Sequence, residues 1–165
     1  MPVINLNNLK EQIQTILQNA NTTTASTDLS NGLETRVQRV LKINPSRIPV
    51  QATWYPFVTT YISKKDIELT QFGVNQIGPQ RKSTVDVKVI GAVWNSSITD
   101  EEVDPADEDI EDLMENIEQI MRANPTIEAV ATWSYPTEVT YHNVTLDEGT
   151  HIRYGIMTLM VTVFH

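Results

Sequence analysis

Apolar residues recur with a helical period in three segments of the chain. The first predicted helix begins near Asn8, where Asn8 and Glu11 match a capping box. A second helix is predicted from Gly32 to Lys42, with Pro45 ending it. The apolar stripes that indicate these two helices are Leu9, Ile13, Ile16 and Leu17, and then Leu33, Val37, Val40 and Leu41.

The third predicted helix has the clearest start in the chain. Asp104 is placed to cap it, and Pro105 suits its first helical position. Arg122 complements the helix dipole in the last turn, before Asn124-Pro125 ends the helix. Its core stripe is Ile110, Leu113, Met114, Ile117, Ile120 and Met121.

Four segments have the alternation of a strand, at about residues 47–63, 81–94, 127–144 and 152–164. The first contains Pro49 and Pro56, which predicts a broken, bulged or edge strand. The last is apolar on both faces, which indicates a central strand or a strand covered by another subunit.

Three connections are predicted between these elements. Residues 19–31 are rich in Thr, Ser and Asn with little to bury, so an exposed, mobile loop is expected. Residues 64–80 are predicted to form a long hairpin arm or loop, and residues 95–104 an acidic linker.

One stretch of the sequence occurs twice, with small differences, as an internal repeat. Its parts are Asn44-Pro45-Ser46, Ala52-Thr53-Trp54 and Tyr55-Pro56 in the first copy, and Asn124-Pro125-Thr126, Ala131-Thr132-Trp133 and Tyr135-Pro136 in the second. Together with the elements, this repeat predicts a single α+β domain over residues 1–165. Two helix–strand–strand units, at about 33–95 and 105–165, would form a mainly antiparallel sheet of about four main strands with helices packed on it.

The amino-acid composition excludes several kinds of functional site. The 165 residues include no cysteine, which excludes disulfides, thiol catalysis and thiolate metal sites. The sequence has neither a signal-peptide pattern at its start nor an apolar run of about 20 residues, so an intracellular, soluble protein without membrane contact is expected.

The charge is strongly negative and unevenly spread. The formal net charge is -9, and eleven of the 21 acidic residues lie between Asp100 and Glu118. Such a surface disfavours sequence-specific DNA binding. Two interpretations stay open: a solvated linker and helix face, or a wall past which a polyanion slides without sticking.

Catalytic, cofactor and metal sites are predicted to be absent, and the chain is predicted not to be an enzyme. The six glycines are scattered and form no phosphate-binding loop. His142 and His151 flank a turn and could approach each other, but exposed histidines on a hairpin are the commoner case. The acidic segment 104–112 lacks the glycine and glutamate of a calcium loop, and Glu138 is the least ordinary carboxylate in a strand.

Aromatic residues cluster at the two copies of the repeat. Two interpretations stay open for them: packing in the core and across strands, or a surface for self-association. The candidates are Trp54, Tyr55, Phe57, Tyr61, Trp133, Tyr135 and Tyr141.

Several segments together resemble the small neck proteins of tailed bacteriophages, the tail terminator and tail-completion group. The resemblance covers about residues 33–165 and is a match of layout rather than of a signature motif. Its segments are Tyr55-Pro56-Phe57-Val58, the strand from Arg81 to Val89, and Pro136-Thr137-Glu138-Val139 leading into the strand from Arg153 to Val163.

The resemblance implies a virion protein, assembled in the host cytoplasm, that forms a ring in the phage neck. Such a ring, commonly a hexamer, caps the tail tube and joins it to the head connector or adaptor proteins, with DNA passing through the centre. The alternatives are a head-completion adaptor, a baseplate or tube-initiating virion protein, and a small cytosolic enzyme or ligand-binding domain.

Overall fold

The computed structural model describes residues 5–70, 80–95, 105–147 and 150–164. These residues form α1 (Leu6–Ala20), β1 (Arg39–Leu41), β2 (Phe57–Thr70), β3 (Gln80–Asn95), α2 (Pro105–Ala123), β4 (Trp133–Asp147) and β5 (Thr150–Phe164). The strands lie in one sheet in the order β1-β2-β3-β5-β4, and only the β1–β2 pair is parallel. The predicted α+β class and mainly antiparallel sheet are confirmed, and β1 is a fifth, short strand.

Two hairpins, β2–β3 and β4–β5, meet along the antiparallel β3–β5 pair at the centre of the sheet. The central location predicted for the last strand is therefore confirmed. Both helices pack on the same face, which we call the helix-covered face, and we call the other the open face. At the centre, where Gly91 pairs with Gly155, α2 lies so close that a Cβ on Gly155 would be 2.4 Å from Met114 Cγ.

The main core fills the space between the helices and the helix-covered face. The stripes predicted for the first and third helices are all buried in it, which confirms both helices. The strands contribute apolar side chains at every second position, as the alternation predicts. These strand residues are Val58, Val85, Val87, Val89, Val93, Met157, Leu159 and Val161.

The predicted start of the first helix is wrong by one turn. The N-cap is Asn5, whose side chain accepts hydrogen bonds from the backbone N–H groups of Asn7 and Asn8, both at 3.1 Å. Asn8 lies inside the helix. The third helix begins at Pro105 as predicted, whereas its proposed cap, Asp104, lies outside the described residues.

The helix predicted from Gly32 to Lys42 is wrong. Gly32 has a left-handed φ of 84°, and the segment leads into β1, which pairs with the start of β2. Val40 packs on the helix-covered face and Leu41 on the open face, as neighbours in a strand do. The apolar residues were correctly expected to pack in the core. Pairing with β2, however, gives this segment the conformation of a strand rather than that of a helix.

Two predicted strands begin later than expected. Residues 45–56 form two short 3-10 turns and a cis Tyr55-Pro56 bond before β2 begins at Phe57, so the predicted break at the prolines is confirmed. The second of these strands begins at Trp133 rather than 127. The preceding residues turn instead, and Ile127, Glu128 and Ala129 all have positive φ.

The connections differ in how well they match expectation. Residues 21–31 bury more than predicted, because Leu29 is fully buried and Asn116 of α2 donates hydrogen bonds to the carbonyl oxygens of Leu29 and Asn31 at 3.2 and 2.8 Å. The predicted mobility of this loop stays a prediction. The hairpin arm is confirmed as far as the Thr70–Gln80 pair. Most of the predicted acidic linker, residues 96–104, lies outside the described ranges.

Candidate self-association surface

The aromatic residues of the first repeat copy are packing residues. Tyr55 and Phe57 are buried on the open face with ring centroids 4.8 Å apart, and Trp94 lies 5.3 Å from Tyr55. Burial raises the pKa of the Tyr55 phenol. Trp54 is covered by the guanidinium of Arg39, 3.9 Å from the ring centroid. These contacts support the packing interpretation for this copy.

The aromatic residues of the second copy are exposed. Trp133 is 53% exposed, Tyr135 38% and Tyr141 51%. Trp133 and Tyr135 lie opposite Thr162 and Met160 on the open face, whereas Tyr141 lies opposite Gly155 on the helix-covered face. The seventh candidate, Tyr61 of β2, is partly buried on the open face.

The three exposed aromatic residues of the second copy all belong to β4, which is an edge strand. Among the described residues, β4 pairs with β5 on one side and with no strand on the other. From Trp133 to Leu146, only Ser134 is buried, and its hydroxyl donates to the carbonyl oxygen of Pro125 at 2.9 Å. A long unpaired edge that carries exposed aromatic side chains is a ready template for pairing with another chain.

A groove of about 470 Å³ runs between α2 and β4, and we call it the acidic groove. It is lined by Glu111, Met114, Glu115, Glu118, Val139 and Tyr141. Partial burial and then the three glutamates raise the pKa of Tyr141. Arg122 pairs with Glu118 at 2.8 Å, whereas Glu111 and Glu115 form no ion pair within the described part of the chain.

The hairpin arm, residues 64–70 and 80–86, has two different faces. On the open face, ion pairs join Lys64 to Asp66 at 2.7 Å and Lys82 to Glu68 at 3.6 Å. The other face carries Lys65, Ile67, Leu69 and Arg81, by the register of β2 and β3. Ile67 is 57% exposed and Leu69 70%, so this face is basic and apolar at once.

A second groove, of about 390 Å³, lies on the open face beside the first repeat copy. Its lining is mostly apolar and includes Ile48, Tyr55, Phe57, Ile152 and Tyr154. It combines a buried floor with exposed apolar residues at its margin, among them Val144 and Leu146 of β4.

The remaining candidates do not converge. His142 stacks on Tyr154 on the open face, with ring centroids 5.1 Å apart, whereas His151 lies on the other face, so the two histidines do not meet. Glu138 is exposed on β4. The described residues contain no group of three or more metal-binding side chains, and neither of their helices is long and apolar enough to cross a membrane.

Sequence reasoning predicted the arm but not its two different faces, and it missed the acidic groove. The signal for the two faces was present, since Ile67 and Leu69 alternate with charged residues in the predicted arm. The groove had no such signal, because it depends on β4 lying beside the acidic side of α2.

The chain has no match among models of known protein families or among curated protein sequences.

Proposed function

We propose that the chain is a virion structural protein that forms a ring in the neck of a tailed bacteriophage, as a tail terminator or tail-completion protein. The ring caps the tail tube and joins it to the head connector, with DNA passing through the centre. The observation that supports this best is the edge strand β4, which is unpaired among the described residues and carries three exposed aromatic side chains.

The partners in this proposal are other copies of the chain, the tail tube protein and the connector or adaptor proteins. By the resemblance, the ring is a hexamer. DNA is a passenger rather than a ligand, because a net charge of -9 repels phosphate. The chain performs no catalysis in this role. Its exposed strand edges present backbone N–H and C=O groups to neighbours, which is how sheet edges bind other chains.

Sedimentation velocity and negative-stain imaging of the purified protein test the proposal. We expect closed rings, formed by the protein alone or on tail tubes. The double variant Trp133→Ala/Tyr135→Ala should weaken ring formation and keep the fold, since both side chains are exposed. Thr140→Ala, also exposed on β4, is the matched control. A protein that stays monomeric both alone and with tail tubes would contradict the proposal.

The apolar groove on the open face favours a second candidate, a ligand-binding domain. Mostly apolar grooves of this size are typical of sites for small molecules. A ligand of this groove would raise the melting temperature of the wild type. It would do so far less for a variant with Ile152→Asp, which places a charge in the lining. Stabilisation by a small apolar ligand, without ring formation, would favour this candidate over the first.

A further inference from the structure

We propose that copies of this chain associate head to tail, with the hairpin arm of one copy seated along the acidic groove of the next. The proposal rests on the proposed function, because a ring needs one contact that repeats around it. It names the two surfaces that make this contact. The occupant of the groove is therefore a second copy of the chain.

Charge complementarity identifies the two surfaces as partners. The helix-covered face of the arm carries Lys65 and Arg81 and no acidic residue, and neither cation forms an ion pair among the residues described. The groove carries three glutamates, of which Glu118 alone is paired among those residues. Arrangement of opposite charges on two surfaces steers association and fixes its orientation.

The apolar residues match as well. Between the two cations, the arm exposes Ile67 and Leu69. The groove presents the exposed Tyr141 and the partly buried Val139, and the fully buried Met114 completes its lining. Seating the arm would remove from water two of the most exposed aliphatic side chains among the described residues. Both surfaces thus combine an apolar centre with a charged margin, the usual composition of a protein interface.

The contact also requires two strand edges that are not already paired, one on β2 and one on β4. β1 pairs only with Phe57, Val58 and Thr59, so the outer edge of β2 beyond Thr59 has no partner strand within the described ranges. β4 lies antiparallel to β2 in the plane of the sheet. When two copies align with their helices on the same side, β2 of one copy runs antiparallel to β4 of the next. The sheet then continues from copy to copy.

The same features argue against a two-fold contact. An arm packed against its own symmetry mate would bring Lys65 and Arg81 close to their own copies, and two acidic grooves would repel in the same way. The arm and the groove lie at opposite edges of the sheet. Their contact is therefore heterologous, and its repetition closes into a ring or continues as a filament.

Paired charge reversals test the proposal. The arm variant is Lys65→Glu/Arg81→Glu, and the groove variant is Glu111→Lys/Glu115→Lys. Each alone should weaken self-association by about tenfold or more, measured by sedimentation equilibrium. Mixing the two variants should restore assembly, because the arm of each then meets a groove of opposite charge. Lys10→Glu/Arg47→Glu is the control for the arm variant, since it changes the net charge equally outside the arm.

The possible results separate the two proposals. Assembly of the wild type that both variants weaken, and that their mixture restores, would support the contact. Wild-type assembly that the variants disturb no more than the control does would overturn the contact and leave the ring intact. A wild type that stays monomeric at every concentration, alone and with tail tubes, would overturn both. Circular dichroism confirms that each variant is folded.

Cross-linking provides a test that does not depend on charge reversal. The chain has no cysteine, so Lys65→Cys and Glu115→Cys each introduce a single thiol. A short bismaleimide added to a mixture of the two variants should join arm to groove, as mass spectrometry of the peptides would show. Either variant alone should give little cross-linked dimer. Efficient cross-linking of the Lys65→Cys variant to itself would contradict the head-to-tail contact.

Discussion

The aromatic residues of the two copies of the repeated sequence differ in burial. In the first copy, Tyr55 is buried against Phe57 and Trp94 on the open face. In the second, Trp133 and Tyr135 enter β4 directly and are exposed. The same residue types therefore stabilise the fold in one place and remain available for contacts in the other. Similar sequence does not imply a similar environment, because the chain that precedes each strand decides whether the open face beside it is covered.

The preceding segments explain this difference. Before β2, residues 45–56 form two short turns on the open face, so Tyr55 joins the small apolar cluster there. Before β4, residues 124–132 turn beneath the end of α2, with Ile127 fully buried in the main core. Pro136 then pairs with Leu159 inside the sheet. The open face beside β4 receives no comparable cover from the described residues.

The largest expected effect separates the two tyrosines. Tyr55→Ala should destabilise the fold by about 3–5 kcal/mol, because it removes a buried ring and leaves a cavity. Tyr135→Ala should change stability by less than about 1 kcal/mol, because its ring is exposed in the monomer. Urea denaturation of the two variants measures both values. Equal losses in the two variants, at a concentration where the protein is monomeric, would contradict the comparison.

The fold was largely predictable because its periods are local properties of the sequence. The stripe of α2 and the alternation in β3 gave the correct faces, and the apolar residues on both sides of β5 gave its central place. The helix predicted from Gly32 failed because pairing between β1 and β2 joins residues far apart in sequence. The acidic groove was not predictable for the same reason, because Glu115 and Tyr141 are distant in sequence and come together only in the tertiary fold.

The second prediction compares the two units where they meet. A methyl group on Gly155 would lie 2.4 Å from Met114 Cγ, near the backbone of α2, whereas on Gly91 it would lie 2.8 Å from the tip of Leu113. The tip of a side chain can rotate away more easily. Gly155→Ala should therefore destabilise the fold by about 2–3 kcal/mol and Gly91→Ala by less, as overpacked cores do. Thermal melting of both variants checks the order, and the reverse order would contradict the close approach of α2 at Gly155.

The third prediction concerns the loop of residues 21–31, which is hydrogen-bonded to α2 through Asn116. Asn116→Ala should destabilise the fold by about 1–3 kcal/mol, because the carbonyl oxygens of Leu29, in a buried contact, and of Asn31, in a partly buried one, lose their donor. Gln119→Ala, one turn along the exposed side of the helix, is the control. Hydrogen exchange of residues 21–31 should rise in the first variant only. Unchanged exchange in both variants would show that the loop is held by other contacts.

The smallest expected effect concerns the contact between the units at Asp109, and it depends on pH. Asp109 is buried near the start of α2, and its carboxylate accepts a hydrogen bond from the backbone N–H of Glu34 at 3.4 Å. Burial, reinforced by the charges of Glu34, Asp112 and Glu108, raises the pKa of this carboxyl. The folded state therefore binds the proton more tightly than the unfolded state does. The stability that this provides is present below the ordinary pKa and is lost as the pH rises through the raised value.

Asp109→Asn should consequently stabilise the protein at neutral pH, because it keeps an oxygen acceptor for Glu34 and removes the buried charge. The advantage of the variant should shrink as the pH falls toward the ordinary aspartate pKa of about 4, where the wild-type carboxyl is protonated as well. Urea denaturation of both proteins across this range measures the difference. Glu108→Gln, at the exposed neighbouring position, should show no comparable gain. If Asp109→Asn instead makes the protein less stable than the wild type at neutral pH, the charged carboxylate holds the two units together rather than straining their contact.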